Sequence, residues 1–456
     1  MNKIVHKIDQ GLIGEITVPG DKSISHRSVM FASLGNTHVK IENFLKAADT
    51  LSTVNIMKKL GAKVEFIDDD SLIVTGNGLR GLKEPSTVLD AGNSGTTLRL
   101  LLGLLAGANI RAEFTGDNSL SNRPMKRIIE PLTMMGAEIE SNSGRLPIRI
   151  IGKNNKLKGI NYDMPVASAQ LKSALLLAGL FAEGKTTITE PQVSRDHTER
   201  MLSAFGAKII KENNVVTIEP ADKLTAPKEI FVPSDISSAA YFMVLALITK
   251  GSELVIKNIG VNQTRTGIID VLKEMGGNIK LENERTICGE EMADIRIKSS
   301  KLKGVNIKEE IIGRLIDEIP IIAVAASFAD GKTVIKGAGE LRVKETDRIK
   351  AVAESFNKLA DGMIEELDDG MIIHGNLKKN YGEADSYGDH RMAMSLAILG
   401  AAAEGITITN AEVVNISYPN FYEELNKLGN KVIKNHGRFI NFFQRNMQDI
   451  EKNNLT

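Results

Sequence analysis

Six times along this chain one short phrase returns: a large apolar residue, Gly, one small and one polar residue, then an aliphatic one. The clear copies are Leu60-Gly61-Ala62-Lys63-Val64, Met135-Gly136-Ala137-Glu138-Ile139, Phe205-Gly206-Ala207-Lys208-Ile209, Met275-Gly276-Gly277-Asn278-Ile279 and Leu428-Gly429-Asn430-Lys431-Val432, with a weaker one at Leu359-Ala360-Asp361-Gly362-Met363-Ile364. Each reads as the end of an amphipathic helix, a Gly at its C-cap, then a strand. A second phrase lies between the copies, at Gly35-Asn36-Thr37, Gly107-Ala108-Asn109, Gly184-Lys185-Thr186, Gly251-Ser252-Glu253, Gly331-Lys332-Thr333 and Gly405-Ile406-Thr407. It follows an Ala/Leu-rich run and opens a β-rich stretch. The period is roughly 70 residues, well beyond solenoid repeats of about 20–50. Each copy therefore has room for two helices and several strands, a small folding unit.

A chain of 456 residues exceeds the size at which one core stops growing, so more than one domain is expected. Six units divide most simply into two domains of three. The hinges are expected at Pro19-Gly20 and at Pro233-Ser234-Asp235, ahead of a fresh helix over 237–247. If both hinge strands cross between domains, the first strand joins the C-terminal half. One domain is then 1–20 plus 235–456 and the other 21–234, with a polar tail from about Gln444. Runs such as 98–106 and 174–180 have almost no polar face, and a helix apolar all round is buried.

Charged residues make up 25% of the chain and cancel to +0, which argues against nonspecific nucleic-acid binding. Aromatics are 4% and Trp is absent, leaving little for base stacking. No apolar run reaches the roughly 18 residues of a membrane span, so no membrane partner is expected. Met1 to Lys7 lacks the apolar stretch of a signal peptide, and no plastid transit peptide is seen, so a bacterial cytoplasm is expected. The single cysteine, Cys288, excludes intrachain disulfides and reads as an inert thiol in a strand-like stretch.

Gly76-Asn77-Gly78-Leu79-Arg80-Gly81 matches the dinucleotide fingerprint, but Pro85 forbids the helix whose N-terminus would meet a pyrophosphate. Other stretches carry more. Asp21-Lys22-Ser23-Ile24-Ser25-His26-Arg27 puts a capping residue and cations at a helix start, where free N–H groups favour an anion. Asp90-Ala91-Gly92-Asn93-Ser94-Gly95-Thr96-Thr97-Leu98-Arg99 opens a buried helix with glycines that allow close backbone approach. Asn122-Arg123-Pro124-Met125-Lys126-Arg127 reads as a basic loop before a helix with Pro124 at its first position. Ser168-Ala169-Gln170 and Arg195-Asp196-His197-Thr198-Glu199-Arg200 open two further helices.

In the second half, Arg342-Val343-Lys344-Glu345-Thr346-Asp347-Arg348 packs five charges into seven residues, and Lys344 and Arg348 would share a face if helical. Glu345 beside them is an acid/base candidate tuned by its cations. Asp389-His390-Arg391 repeats the cap-and-cation pattern, and Asp317 stands before an apolar helix as a candidate general base. Basic helix starts in a chain of zero net charge, if they converge on an interdomain cleft, make a local trap for multiply anionic substrates.

Taken together and in this order, these motifs resemble the 5-enolpyruvylshikimate-3-phosphate synthase (3-phosphoshikimate 1-carboxyvinyltransferase) family over essentially the whole chain. The resemblance implies a two-domain inside-out α/β fold built from six βαβαββ repeats, three per domain, closing like a clamp on an interdomain site. It implies that Ser23, Arg27, Ser168, Ala169, Gln170, Arg195, Asp317 and Lys344 hold shikimate-3-phosphate. Lys22, Gly95, Arg123, Gln170, Lys344, Arg348 and Arg391 would hold phosphoenolpyruvate. Asp317 would accept the 5-hydroxyl proton, and Glu345, with Lys22, would protonate the enol methylene. No metal or other cofactor is implied, and the expected form is a monomer acting in chorismate and aromatic amino acid biosynthesis by the shikimate pathway.

Ser168-Ala169-Gln170 and Arg195-x-His197-x-Glu199 are more similar to the subgroup often tolerant of glyphosate. Gly95, however, stands where some tolerant enzymes carry Ala, and Ile416 where other members have a Lys before a Phe-Pro pair. A related family on the same fold acts on UDP-N-acetylglucosamine and usually has a Cys in the loop equivalent to 118–126, which here has none. A repeat scaffold that merely binds phosphorylated metabolites is the non-enzymatic alternative, and it has no need of Asp317 and Glu345 among the cations.

Overall fold

The computed structural model describes residues 1–152, 156–377 and 381–435; the tail from Gln444 lies outside them. The second unit shows the plan. Strand Leu89–Asp90 runs parallel to Ala112–Thr115, which pairs antiparallel with Arg145–Ile150, itself antiparallel to Ile139–Asn142. A parallel pair needs a helical crossover, and helix Gly95–Gly107 supplies it. Helix Lys126–Met134 then leads into a tight hairpin whose central Ser143 and Gly144 both have positive φ, the turn that matches strand twist. The order is βαβαββ, and five four-stranded sheets repeat it. In the sixth, Gly382–Asp385 and Ile406–Thr409 are completed by the N-terminal strand Lys3–Val5.

Two strands leave their own unit. Ile13–Thr17, which precedes helix Lys22–Leu34, pairs with Glu253–Gly260 in the fourth unit. Glu229–Phe231, which precedes helix Ile236–Ile248, pairs with His38–Glu42 in the first. Where these connections cross, Asp21 N donates to Pro233 O at 2.7 Å and Asp235 N to Pro19 O at 2.9 Å. The apolar interior accordingly forms two clusters, one from residues 5–18 and 236–428, the other from 24–232.

Each lobe wraps its sheets around three buried helices, which is why the apolar runs lack a polar face. Leu100, Leu101, Leu102, Leu104 and Leu105 are all fully buried, each contributing roughly 1.5–3 kcal/mol. Helices Gly95–Gly107 and Ala169–Gly179 touch backbone to backbone: a Cβ on Gly103 would lie 2.1 Å from Ala174 O. The other lobe buries Ile236–Ile248, Ile319–Ser327 and His390–Ala402 in the same way. No described helix is long and apolar enough to cross a membrane.

Local expectations fail at four places. Helix Phe421–Asn435 runs straight through Gly429, so the last repeated phrase is neither a C-cap nor a strand start. The helix after Arg123 begins at Lys126, which leaves Pro124 in the preceding loop. Lys344 to Asp347 are not helical; the helix starts at Arg348 because Asp347 caps it through Lys350 N. Cys288 sits at the turn of a hairpin with φ 51°, not in a strand, and burial pushes its thiol up.

Candidate active site

All six buried helices point their N-termini at one cleft between the lobes. Lys22, Gly95 and Ala169 line it from one side and Asp235, Asp317 and His390 from the other, around a cavity of about 310 Å³. Side-chain caps fix five of these ends. Asp21 accepts from Ile24 N at 2.9 Å, Ser94 from Thr97 N at 3.1 Å and Ser168 from Leu171 N at 3.4 Å. Asp235 accepts from Ser237 N and Asp389 from Arg391 N, both at 2.8 Å. Free N–H groups and aligned helix dipoles make such convergence attractive to anions even in a chain of zero net charge.

On the 21–234 side, Arg27 is held rigidly. Its guanidinium donates to Thr198 Oγ1 at 2.7 Å, Ser173 Oγ at 2.9 Å and Ser23 O at 2.9 Å. Burial lowers Arg27 to about 10, so it stays charged at neutral pH. Gln170 has its amide orientation fixed: Arg99 donates to Oε1 at 2.6 Å, and Nε2 donates to Thr96 Oγ1 at 3.0 Å. Lys22 Nζ lies 3.1 Å from Asp49 Oδ2. Arg123 donates to Asn93 Oδ1 at 3.1 Å and to Ser119 Oγ at 3.3 Å.

The facing side carries the carboxylates. Asp317 contacts Arg195 at 2.5 Å, Arg348 at 3.3 Å and Arg391 at 3.7 Å. Burial alone would raise its carboxyl, but Arg195, Arg391, Lys344 and Arg348 outweigh this and hold it well below the usual carboxylate range. Glu345 contacts Arg348 at 2.7 Å and Arg123 at 3.6 Å. It too is driven well down against its burial, by Arg348 and Arg123 before others. His390 adds little there, since burial and Lys22 push its imidazole well below the ordinary value and leave it neutral. Arg348 is fixed in turn by Asp389 at 2.7 Å. Lys344 is lowered by burial, with Arg348 and Arg195 adding to the effect.

Among the described residues, ion pairs that join the two lobes at the cleft include Arg195–Asp317, Arg123–Glu345, and Arg127–Glu340 and Arg265–Asp21, the last two at 3.0 Å each. Every residue nominated for substrate contact or catalysis lines this one cavity, Ser23, Ser168 and Gly95 included. Sequence reasoning did not nominate Asp49, Asp235, Arg99 or Arg265, which line it as well. Arg99 lay inside a recognised motif, whereas no local pattern marks Asp49 or Arg265. The motif after Arg195 proves largely supportive. His197 pairs with Glu290 at 2.8 Å, Asp196 with Arg200 and Lys211 at 2.9 Å each, and Glu199 with Lys172 at 2.7 Å. Ile416 ends a short 3-10 helix, Ala411–Ile416, outside the cleft lining.

The arrangement offers clustered cations for a multiply charged anion and two ionised carboxylates within it, the equipment for acid/base chemistry with electrostatic stabilisation. Comparison with known proteins agrees. The family model described as EPSP synthase (3-phosphoshikimate 1-carboxyvinyltransferase) matches residues 7–425. A 3-phosphoshikimate 1-carboxyvinyltransferase of Thermoanaerobacter sp. (strain X514) is 54% identical over 421 residues, covering 91% of this chain and 98% of that protein. One of Bacillus thuringiensis (strain Al Hakam) is 50% identical over 427 residues, covering 93% and 99%. Among solved structures, EPSP synthase from Acinetobacter baumannii superposes with a TM-score of 0.84 at 44% identity, covering 94% of this chain and 98% of that one. The enolpyruvyl transferase NikO from Streptomyces tendae, at 18% identity and a TM-score of 0.75 over 93% and 97%, shares the fold.

Proposed function

The chain belongs to the EPSP synthase family, and we infer from that premise that its cleft moves the 1-carboxyvinyl group of phosphoenolpyruvate to the 5-hydroxyl of shikimate-3-phosphate. Phosphate is released, and the step serves chorismate and aromatic amino acid biosynthesis in the shikimate pathway. The observation that carries the residue assignment is the pair of ionised carboxylates, Asp317 and Glu345, each enclosed by arginines in one cavity.

Shikimate-3-phosphate is assigned to Ser23, Arg27, Ser168, Ala169, Gln170 and Arg195, with Asp317 and Lys344 at its ring. Phosphoenolpyruvate is assigned to Lys22, Gly95, Arg123, Gln170, Lys344, Arg348 and Arg391. Asp317, held ionised, takes the proton of the 5-hydroxyl as its oxygen bonds to C2 of phosphoenolpyruvate. Glu345, with Lys22, delivers a proton to the methylene carbon, giving a tetrahedral ketal phosphate. Loss of a methyl proton and of phosphate then forms the enolpyruvyl ether. Glu345 is an anion while Arg123 and Arg348 face it. A substrate phosphate and carboxylate that draw on the same guanidiniums weaken that hold and raise its pKa toward that of a proton donor.

The division into 1–20 plus 235–456 and 21–234 is our reading of the two cores and the crossed strands, with the lobes acting as a clamp. A monomer suffices, because both lobes of one chain complete the cleft. The bacterial cytoplasm is assigned from the organisms of the relatives and the nature of the substrates. Ser168-Ala169-Gln170 and Arg195-x-His197-x-Glu199 favour the subgroup often tolerant of glyphosate. Phosphate release that persists in millimolar glyphosate, with phosphoenolpyruvate held near its KM, supports that placement; inhibition at micromolar glyphosate removes it. The reaction itself is tested by phosphate release from phosphoenolpyruvate with shikimate-3-phosphate as the acceptor.

A further inference from the structure

Arg265 has no part in the substrate assignments, yet it bridges two buried carboxylates at the hinge. It lies between strand Glu253–Gly260 and helix Gly267–Glu274, and its side chain is 3% exposed. One arm is 3.0 Å from Asp21 Oδ2 in the facing lobe; the other is 3.3 Å from Asp235 Oδ1 and donates to Ser237 Oγ at 2.7 Å. Its own turn is anchored by Asn262, whose Nδ2 donates to Asp196 Oδ1 at 2.8 Å and to Glu290 Oε2 at 3.1 Å.

The two carboxylates it bridges are the caps of the two helices that begin where the chain crosses between lobes. Asp21 caps the helix that carries Lys22, Ser23 and Arg27, and Asp235 Oδ2 accepts from Lys22 N at 3.4 Å. Backbone hydrogen bonds join the two connections at the crossing. A planar guanidinium reaching both caps from a third segment adds a side-chain tie there and offsets the repulsion of two adjacent buried carboxylates.

We propose that Arg265 is a positioning residue for enolpyruvyl transfer, pinning the Asp21 and Asp235 caps together so that Lys22 stays in register with Lys344, Arg348 and Arg391 across the cleft. This rests on the reaction assigned above. Turnover of the unaltered enzyme tests that reading, and the variants are compared only with that turnover.

The variants are Arg265→Lys, whose single point charge cannot span both carboxylates, and Arg265→Met with Asp235→Asn, which removes one charge of each sign. Groups assigned to phosphoenolpyruvate come from both lobes, whereas those assigned to shikimate-3-phosphate come mostly from one. The expected result is a KM for phosphoenolpyruvate raised about 10-fold in the double variant and less in Arg265→Lys, while KM for shikimate-3-phosphate stays within about threefold. A smaller folded fraction lowers turnover and leaves both KM values alone. Unchanged KM values, an equal rise in both, or failure of both variants to fold overturns the proposal.

Discussion

Asp317 carries the assignment at the level of single residues. A carboxylate surrounded by Arg195, Arg348 and Arg391 is a weak base in isolation, but it is ionised at every working pH and its geometry is fixed. Asp317→Asn and Glu345→Gln keep the shape and remove the proton chemistry. Each is expected to lower turnover by roughly 10²–10⁴-fold, measured by phosphate release, with the protein still folded. Turnover near that of the native protein removes the residue from the mechanism. The same carboxylate shapes acid stability. Unfolded Asp titrates near about 3.9, and the folded value lies lower, so its contribution is present above that pH and is lost as pH falls through the folded pKa. Melting temperature followed from pH 6 to pH 3 therefore declines less steeply in Asp317→Asn than in the native chain; an equal or steeper decline contradicts the depressed value.

Helices and strands show why part of the molecule was legible in the sequence and part was not. The buried helices were plain, since runs such as Leu100 to Leu105 have nowhere to go but a core. Their N-termini were plain too, because Asp21, Ser94, Ser168, Asp235 and Asp389 cap them through local bonds. Gly429 misled because the sequence shows a Gly but not its φ, and here the helix continues through it. Lys344 and Arg348 both line the cleft although the segment between them is not helical, so a shared helical face is not what brings them there. Asp49 and Arg265 stayed hidden because their partners lie 27 and 244 positions away, at Lys22 and Asp21. Element packing also gives a direct test. Gly→Ala in a helix interior normally gains about 1 kcal/mol, but a Cβ on Gly103 would sit 2.1 Å from Ala174 O, so the helices must move apart. Denaturant unfolding of Gly103→Ala is expected to show a net loss of about 1–3 kcal/mol. A gain shows that the two helices do not meet there.

For the whole molecule, the repeat sets the architecture independently of the charged motifs. Six units, two cores and a twofold crossing of the chain leave a single cleft where six helix ends can meet. The two hinges suggested that the first strand joins the C-terminal half, but not what strands 13–17 and 229–231 pair with, since partners more than 180 residues apart leave no local mark. The cleft is a property of both lobes, joined across it by Arg195–Asp317 and Arg123–Glu345. The direct measurement is phosphate release from phosphoenolpyruvate by the purified chain, with shikimate-3-phosphate and UDP-N-acetylglucosamine supplied in separate reactions. Release that requires shikimate-3-phosphate is the expected result. Release with the nucleotide sugar alone, or with neither acceptor, contradicts the function assigned to the cleft.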